Sequence, residues 1–255
     1  MNSIRVPLVG LLLLGAVLAP LGAPPAAADA SFDVLQLNLC NSGLADCYDG
    51  GQSIPEGVEV INRLGPSVVT INEVCRDDIT RMANDTGYRG EFTPARDSSS
   101  GSAYQCANGQ DYGIGVLTSS DEGTPVAPAS SGTYSAQDGG REQRVFFCVS
   151  YSRFGVCATH LSTDGGVALR QCSELMAHAG ELAGRAPTVV GGDLNMKYGG
   201  NPDVQDCVPS DWFRKGDGDV QHVLATTVHF AFERTSSHDM MHTDHPAFSV
   251  ELSLR

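Results

Sequence analysis

The chain has 255 residues and a formal net charge of −14 at pH 7. Such a surface repels nucleic acid and anionic membranes at long range, and without basic groups counterion release cannot drive binding. A partner that carries phosphate would therefore need a bound cation. The acidity also has a plain explanation, because net charge keeps an exported protein soluble.

The first thirty residues have the pattern of a secretory signal peptide. Arg5 precedes an apolar run at 8–21, and small residues that suit a cleavage site follow at 26–30. Glycines and a proline interrupt the run, which disfavours a membrane span. We therefore expect removal of 1–30, secretion without stable membrane association, and a single monomeric domain at 31–255.

The first part of this domain alternates between strand and helix patterns. Residues 31–39 alternate apolar and polar side chains, as a half-buried strand does. A capping box at Ser53 and Glu56 predicts a helix that ends before Gly65. A second strand is predicted at 67–75.

The second part continues in the same way. Strands are predicted at 111–119, in a hairpin that turns near Ser152 and Arg153, and at 246–254. The strongest helical pattern, at 167–183, leads directly into "TVVGGDLNM", and 119–140 has the composition of a long surface loop. Many strands with few helices favour two packed sheets with helices outside, with a doubly wound parallel sheet as the alternative.

The eight cysteines all follow the leader, and an even number in an exported chain indicates disulfides. The register of the hairpin places Cys148 opposite Cys157, which predicts one pair directly. The other three assignments have weaker support. Cys40 and Cys47 would close a short loop, and the last two pairs join the four cysteines that are then left. The predicted pairs are Cys40–Cys47, Cys75–Cys106, Cys148–Cys157 and Cys172–Cys207.

Polar residues stand at the ends of several predicted strands. Alternate residues of an extended chain point the same way, so Asp193 and Asn195 can face one spot while Leu194 turns into the core. Gly191 and Gly192 before them would let backbone or a ligand approach closely. The polar residues at the other strand ends are Asn38, Glu73, His160, Asp244 and His245. Oxygen ligands of this kind suit magnesium, calcium or manganese, and histidines suit proton transfer.

Six motifs along the chain resemble those of the endonuclease/exonuclease/phosphatase superfamily, the metal-dependent fold of pancreatic-type deoxyribonuclease. They are "LQLNLC", "TINEVC", "GIGVLTS", "ATHLST", "VVGGDLNM" and "HTDHPAFSV", in the order of the superfamily. The resemblance implies a four-layer α/β sandwich of two packed mixed β-sheets flanked by helices. It also implies that 31–255 is a catalytic domain for divalent-metal-dependent hydrolysis of phosphate esters, with DNA or RNA as the leading substrate.

The resemblance further implies a role for each motif residue. Asn38, Glu73 and Asp244 correspond to the ligands of Mg²⁺, or of Mn²⁺ or Ca²⁺. His160 corresponds to the histidine that contacts the scissile phosphate. His245 corresponds to the histidine that acts as general acid/base or binds the developing charge. Asp193 and Asn195 correspond to the residues that orient the attacking water and hold a phosphate oxygen or a second metal. Separately, the sequence offers four candidate phosphate contacts, which could equally be surface or ion-paired charges: Arg141, Arg144, Arg170 and Lys197.

One position departs from the superfamily pattern. A strand normally supplies an aspartate that orients the terminal histidine, and Gln221 stands where that aspartate falls. A glutamine oxygen can accept the imidazole N–H, but it cannot stabilise an imidazolium as a carboxylate does. Alternatively, Asp217 or Asp219 supplies the carboxylate.

Other interpretations remain open at this point. His238, His242 and His245 with Asp244 could bind zinc, although their segment has no helical period to support the i, i+4 spacing. Gln221 and the acidic surface would also fit a non-catalytic, disulfide-bonded binding domain of the same fold. Phospholipids and sugar phosphates are alternative substrates, but no exposed aromatic run predicts a membrane-docking hairpin.

Overall fold

The computed structural model describes residues 1, 3 and 31–255; apart from those first two positions, the predicted signal peptide lies outside the described residues. The helices are α1 (Ser53–Leu64), α2 (Arg76–Thr86) and α3 (Gly165–Ala183). The strands are β1 (Ser31–Asn38), β2 (Val68–Cys75), β3 (Arg89–Pro94), β4 (Arg96–Asp97), β5 (Tyr112–Thr118), β6 (Ser130–Thr133), β7 (Glu142–Gln143), β8 (Val145–Ser150), β9 (Gly155–His160), β10 (Thr188–Asp193), β11 (Trp212–Gly216), β12 (Gln221–Thr226), β13 (Phe230–His238) and β14 (Ala247–Leu254).

Two mixed six-stranded sheets form the centre of the fold. Their strand orders are β13-β14-β1-β2-β5-β3 and β11-β12-β10-β9-β8-β6. In each sheet one central pair is parallel, β1 with β2 and β9 with β10, and the other neighbours run antiparallel. The carboxyl ends of each parallel pair therefore lie side by side at one edge of their sheet.

The helices cover the outer faces of the two sheets. Ile61 of α1 and Met82 of α2 are buried against the first sheet, whereas Leu175 of α3 is buried against the second. Between the sheets, apolar residues of both inner faces, such as Val34 and Val189, form the central core. The predicted four-layer α/β sandwich is thus confirmed.

The space between the sheets becomes polar towards the carboxyl ends of β1 and β2. Asn72 of β2 is completely buried there. It accepts hydrogen bonds from Gln36 Nε2 at 2.7 Å and from the backbone N–H of Asp193 at 2.8 Å, and it donates to the Thr159 carbonyl at 2.7 Å. Because Gln36 and Asn72 belong to the first sheet and the other two residues to the second, this polar bridge ties the sheets together.

Gly191 and Gly192 on β10 lie where neighbouring atoms leave no room for a side chain. A Cβ on Gly191 would overlap Thr70 Oγ1 of the facing sheet, and one on Gly192 would overlap the Thr159 carbonyl oxygen on β9. The predicted close approach is therefore made by the protein itself.

We expect Gly191→Ala to destabilise the fold by about 1–3 kcal/mol, because overpacking forces neighbours apart. Thr70 has little freedom to yield, since its hydroxyl donates to Gln36 Oε1 at 2.5 Å. Urea unfolding monitored by circular dichroism measures the change. Gly180→Ala on α3 is the matched control, because a Cβ there meets nothing within 4 Å and should slightly stabilise the helix. Equal stability of both variants would contradict the assignment.

The predicted capping box of α1 is wrong. The helix does begin at Ser53, but its N-cap is Gln52 and no side chain caps it. Glu56 instead accepts hydrogen bonds from the backbone N–H groups of Met241 and His242, at 2.7 and 3.0 Å. A long-range contact has thus replaced the local one that the sequence suggested.

Two other boundaries also differ. Helix α3 begins at Gly165, earlier than predicted, because the Asp164 side chain accepts the N–H of Val167 at 2.9 Å and caps it. The predicted loop at 119–140 contains β6, which pairs with β8 at the sheet edge. Its Ser- and Gly-rich sequence gives no strand signal, so cross-strand pairing decides its structure.

All four predicted disulfides are present, and among the described residues no cysteine is free. Cys148 and Cys157 face each other in the β8–β9 register with Cα atoms 4.1 Å apart, as the hairpin pattern predicted. None of the helices in the described part of the chain is long and apolar enough to cross a bilayer.

Candidate active site

Five of the predicted site residues come together in one cluster at the carboxyl ends of β1, β2, β9 and β10. Asn38 Nδ2 donates to Glu73 Oε1 at 2.9 Å and to Asp193 Oδ2 at 3.1 Å. His160 Nε2 lies 3.8 Å from Glu73 Oε1, and His245 Nε2 lies 3.6 Å from Asp193 Oδ2. The two sheets therefore contribute two residues each to this cluster, and the segment before β14 contributes His245.

Asn195 and Asp244 lie at the margin of the cluster. The Asn195 backbone N–H donates to Asp193 Oδ1 at 2.9 Å, and its side-chain amide donates to the Leu161 carbonyl at 2.9 Å. Leu194 between them is completely buried, as the alternation of the strand predicted. Asp244 Oδ1 lies 3.8 Å from His245 Nε2, and 57% of its side chain is exposed, so it borders the open side.

Two residues of the site adopt a left-handed backbone conformation that is rare outside glycine. Glu73 has φ 57° and Asn195 has φ 50°. The pairing of β2 with β5 shifts register between Ile71 and Val74, so Glu73 lies in a bulge. A regular strand would point it away from the side of Asn72, whereas the bulge turns it towards Asn38. Such conformations cost about 1–3 kcal/mol and concentrate at functional sites.

The His160 ring is oriented by Arg144. The guanidinium lies 2.7 Å from His160 Nδ1 and 3.0 Å from Glu142 Oε1. Because a guanidinium can only donate, Nδ1 accepts, and the proton of the neutral ring stands on Nε2, facing Glu73. Burial, the charge of Arg144 and the nearby His245 lower the pKa of His160, which keeps the ring neutral. No sequence signal assigned this positioning contact to Arg144.

Asp193 is a buried carboxylate whose pKa burial raises to about 6, while His245 and hydrogen bonds from Asn195 and Asn38 oppose this rise and Glu73 adds to it. A carboxylate with a pKa in this range can accept a proton near neutral pH. Its contact with His245 places a second proton-transfer group beside it.

Several contacts hold the segment that carries His245. Thr243 Oγ1 donates to the Asn38 carbonyl at 2.8 Å, and His242 Nδ1 lies 2.6 Å from Asp49 Oδ2. With the two hydrogen bonds to Glu56, these contacts fasten the segment to α1 and to the loop after β1. The sequence did not identify Glu56 or Thr243 as supports of the site.

Gln221 also holds the segment that carries His245, through a backbone carbonyl of that segment. Its Nε2 donates to the Pro246 carbonyl at 2.7 Å, and its Oε1 accepts from Gln36 at 3.4 Å. In the described part of the chain, the carboxylates that face the His245 ring are Asp193 and Asp244.

The two alternative carboxylates are engaged elsewhere. Asp217 Oδ2 lies 3.4 Å from Gln221 Nε2, and Asp219 pairs with Lys197 at 2.6 Å.

The candidate phosphate contacts lie outside the cluster, apart from Arg144. Arg141 pairs with Asp97 and Lys197 with Asp219, while Arg170 is exposed on α3. A phosphate contact of these residues stays a prediction.

The predicted zinc group does not come together. His238 ends β13, whereas His242 contacts Asp49 and His245 contacts Asp193, so the three rings lie against different partners. The sulfur atoms of Cys40 and Cys47 lie within 4.8 Å of a Glu73 oxygen, but they form a disulfide and are not thiolate ligands.

The donor set at the centre of the cluster fits a hard divalent cation. Glu73 and Asp193 both direct a carboxylate oxygen at the same amide group of Asn38. Half a turn of that amide would exchange Nδ2 for Oδ1 and present three oxygen atoms together, with loss of the hydrogen bond that Asn38 Oδ1 accepts from the Cys40 N–H at 3.2 Å. Magnesium, manganese and calcium prefer such oxygen ligands, and magnesium completes its shell with water.

The chain has the fold of the endonuclease/exonuclease/phosphatase structures, so the predicted resemblance is confirmed for the fold. It is similar to the endonuclease/exonuclease/phosphatase from Beutenbergia cavernae DSM 12333, with 18% identity, a TM-score of 0.65 and coverage of 88% of this chain and 72% of that one. It is also similar to ANGEL2, a 2′,3′-cyclic phosphatase solved with adenosine-2′,3′-vanadate, with 13% identity, a TM-score of 0.65 and coverage of 89% and 96%.

A third similar structure is the mannosyl-6-phosphatase Bt3783 of Bacteroides thetaiotaomicron VPI-5482, with 11% identity, a TM-score of 0.62 and coverage of 88% of this chain and 99% of that one. No protein-family model matches the sequence, and no curated protein matches it. At these identities, the similarity establishes the shared fold.

Proposed function

We propose that the protein is a secreted, divalent-metal-dependent phosphodiesterase that cleaves DNA or RNA. The observation that carries this proposal is the convergence of Glu73, Asp193, His160 and His245 at the edge where the two parallel strand pairs end. Carboxylates of both sheets and two histidines with different partners are the groups that phosphodiester hydrolysis requires.

The surroundings of each of the four residues determine the role that we propose for it. Magnesium, manganese or calcium held by Glu73, Asn38 and Asp244 would supply positive charge to the phosphate when bound. Asp193 orients the attacking water and accepts its proton, because burial raises its pKa towards neutrality. The neutral His160 donates its Nε2 proton in a hydrogen bond to a phosphate oxygen.

Asn195 and His245 complete the reaction. Asn195 holds another phosphate oxygen from its position beside Asp193. His245 gives a proton to the departing oxygen, and its contact with Asp193 stabilises the charged ring that precedes this transfer. Asp193 thereby takes the place of the aspartate that the superfamily pattern puts at Gln221.

Export is supported by the four disulfides. Such bonds form and persist in oxidising compartments and are rare in the cytosol. Two of them follow the proposed metal ligands at once, since Cys40 comes two residues after Asn38 and Cys75 two residues after Glu73. In an oxidising extracellular environment, these two disulfides would hold the carboxyl ends of β1 and β2 in place.

Hydrolysis assays with magnesium and with EDTA test the proposal. We expect cleavage of supercoiled DNA or of RNA, and of bis-p-nitrophenyl phosphate, that stops in EDTA and returns with excess magnesium. Sphingomyelin, sugar phosphates and other phosphomonoesters are the comparison substrates. Absence of metal-dependent turnover on every substrate would reject the enzyme and favour a binding domain of the same fold.

A further inference from the structure

A second group of aromatic and basic side chains lies next to the candidate active site, on the α3 side of the second sheet. It borders a cavity of about 310 Å³ that is lined by Tyr198, Arg214, Lys215, Gly216, Gly218, Asp219 and His222. Lys215 and the nearby Lys197 are the two lysines of the whole chain. In a protein with a net charge of −14, this concentration of cations marks the surface as unusual.

The cavity adjoins the site through the chain that follows β10. Tyr198 follows Asn195 by three residues, so their Cα atoms are at most about 11 Å apart. On β12, His222 follows Gln221, which pairs with Asp193, and its ring lies on the opposite face of the sheet, against the Met196 carbonyl. Since stacked bases of a strand are about 3.4 Å apart, this distance corresponds to a few nucleotides.

Arg214 is held in a fixed position at this cavity. Its NH1 lies 3.0 Å from His222 Nδ1, and His222 Nε2 lies 2.8 Å from the Met196 carbonyl. A carbonyl only accepts and a guanidinium only donates, so His222 is the neutral ring with its proton on Nε2. Burial and the charge of Arg214 are among the causes that lower the pKa of His222 to about 4, in agreement with this tautomer.

The Arg214 guanidinium, which His222 orients, has a hydrogen-bond donor without a partner. Among the described residues, no carboxylate lies within 4.0 Å of Arg214, and its buried Nε has no hydrogen-bond partner. Lys215 follows on the other face of β11, where its Nζ lies 3.6 Å from the centre of the Phe232 ring. A guanidinium with unused donors in a fixed orientation matches the geometry of a phosphate. Asp219, the one carboxylate that lines the cavity, pairs with Lys197 at 2.6 Å.

Tyr198 supplies an exposed aromatic face beside this cation. Its relative exposure is 67%, which is high for a large aromatic residue. The Arg214 guanidinium lies 4.6 Å from the centre of the ring, so the two groups stack and limit each other's motion. An exposed ring of this kind is a platform on which a nucleobase can stack, whatever the base.

We propose that Tyr198 and Arg214 form a subsite for a nucleotide that flanks the scissile phosphate, with the base on Tyr198 and the phosphate on the guanidinium of Arg214. This inference rests on the proposed function, since it assigns a nucleic acid to the same site. No continuous run of the sequence predicted it, because its members come from two separate segments that β11 and the loop after β10 bring together.

A comparison of one long and one small substrate tests the subsite. The variants Tyr198→Ala and Arg214→Met should lower kcat/KM for a short single-stranded oligonucleotide by roughly 5- to 100-fold, the range expected for loss of one stacked base. Their kcat/KM for bis-p-nitrophenyl phosphate, which is too small to reach the cavity, should stay at the wild-type value. Tyr198→Phe keeps the ring and should behave as the wild type. Arg153→Met removes an arginine from the β8–β9 turn at the opposite end of the sheet and is the control for charge.

A binding measurement distinguishes failure of the subsite from failure of the proposed enzymatic function. Fluorescence anisotropy of a labelled oligonucleotide is measured in magnesium on the Asp193→Asn background, where we expect cleavage to be slowed by roughly 10²–10⁴-fold. Weaker binding on addition of Tyr198→Ala or Arg214→Met supports the subsite, even if the wild type hydrolyses nothing and the enzyme proposal fails. Unchanged oligonucleotide affinity and unchanged kcat/KM in both variants would overturn the subsite and leave the enzyme proposal standing. Undetectable oligonucleotide binding on this background would overturn it as well.

Discussion

Replacement of Asp193 by asparagine is expected to lower kcat for phosphodiester hydrolysis by roughly 10²–10⁴-fold, the usual contribution of a positioned acid or base. The carboxylate receives hydrogen bonds from Asn38 and from the Asn195 backbone, and it lies against His245. An asparagine side chain has nearly the same shape but cannot accept a proton from water. It also cannot stabilise a charged His245, so both proton transfers should suffer together.

The measurement is steady-state hydrolysis of bis-p-nitrophenyl phosphate in saturating magnesium, with urea unfolding to verify that the variant is folded. Asp206→Asn is the matched control, because Asp206 is exposed and lies in the 204–207 turn, away from the cluster. Wild-type kcat in folded Asp193→Asn would show that the cluster does not perform the reaction. A kcat loss of the same size in Asp206→Asn would point to a general effect of charge.

Several features that local physics determines were predicted correctly from the sequence. Strand alternation placed Leu194 inwards, and Asp193 and Asn195 lie side by side as expected. The pairing of Cys148 with Cys157 followed from the register of a single hairpin. Each of these inferences needed only neighbouring residues, for which periodicity and turn geometry are sufficient guides.

Several features that depend on distant segments were not visible in the sequence. The bulge at Glu73 arises where β2 pairs with β5, and the contact of Arg144 with His160 joins two different strands. Glu56 has the spacing of a local cap but binds the segment before β14. A polar residue has several compatible partners, and tertiary packing selects among them.

The polar bridge between the sheets leads to the largest expected loss of stability. Asn72→Leu keeps the approximate size of the side chain but removes partners from Gln36 Nε2, the Asp193 N–H and the Thr159 carbonyl. A buried group left without a partner costs about 1–3 kcal/mol. Gln36 Nε2 keeps its contact to Gln221 Oε1 at 3.4 Å, so the expected loss of about 3 kcal/mol comes mainly from the Asp193 N–H and the Thr159 carbonyl. Thermal unfolding should then occur about 6–12 °C lower, given the size of the domain.

A double-mutant cycle identifies the bridge as the cause. Gln36→Leu combined with Asn72→Leu removes both members of one hydrogen bond, so the pair should cost less than the sum of the two single variants. Asn84→Leu, at an exposed position of α2, is the control and should change stability by no more than about 0.5 kcal/mol. If Asn72→Leu were as stable as this control, the two sheets would not depend on the bridge.

The same substitution links stability to chemistry, because Asn72 accepts the backbone N–H of Asp193, the residue that we propose to activate the water. Without that hydrogen bond, β10 has one contact fewer to hold Asp193 opposite Asn38 and His245. We therefore expect Asn72→Leu to lower kcat even at temperatures where the variant is fully folded. A displacement of about 1 Å is enough for a loss of about 10²-fold when reacting groups must be aligned. A folded Asn72→Leu variant with wild-type kcat would show that Asp193 keeps its position without the bridge.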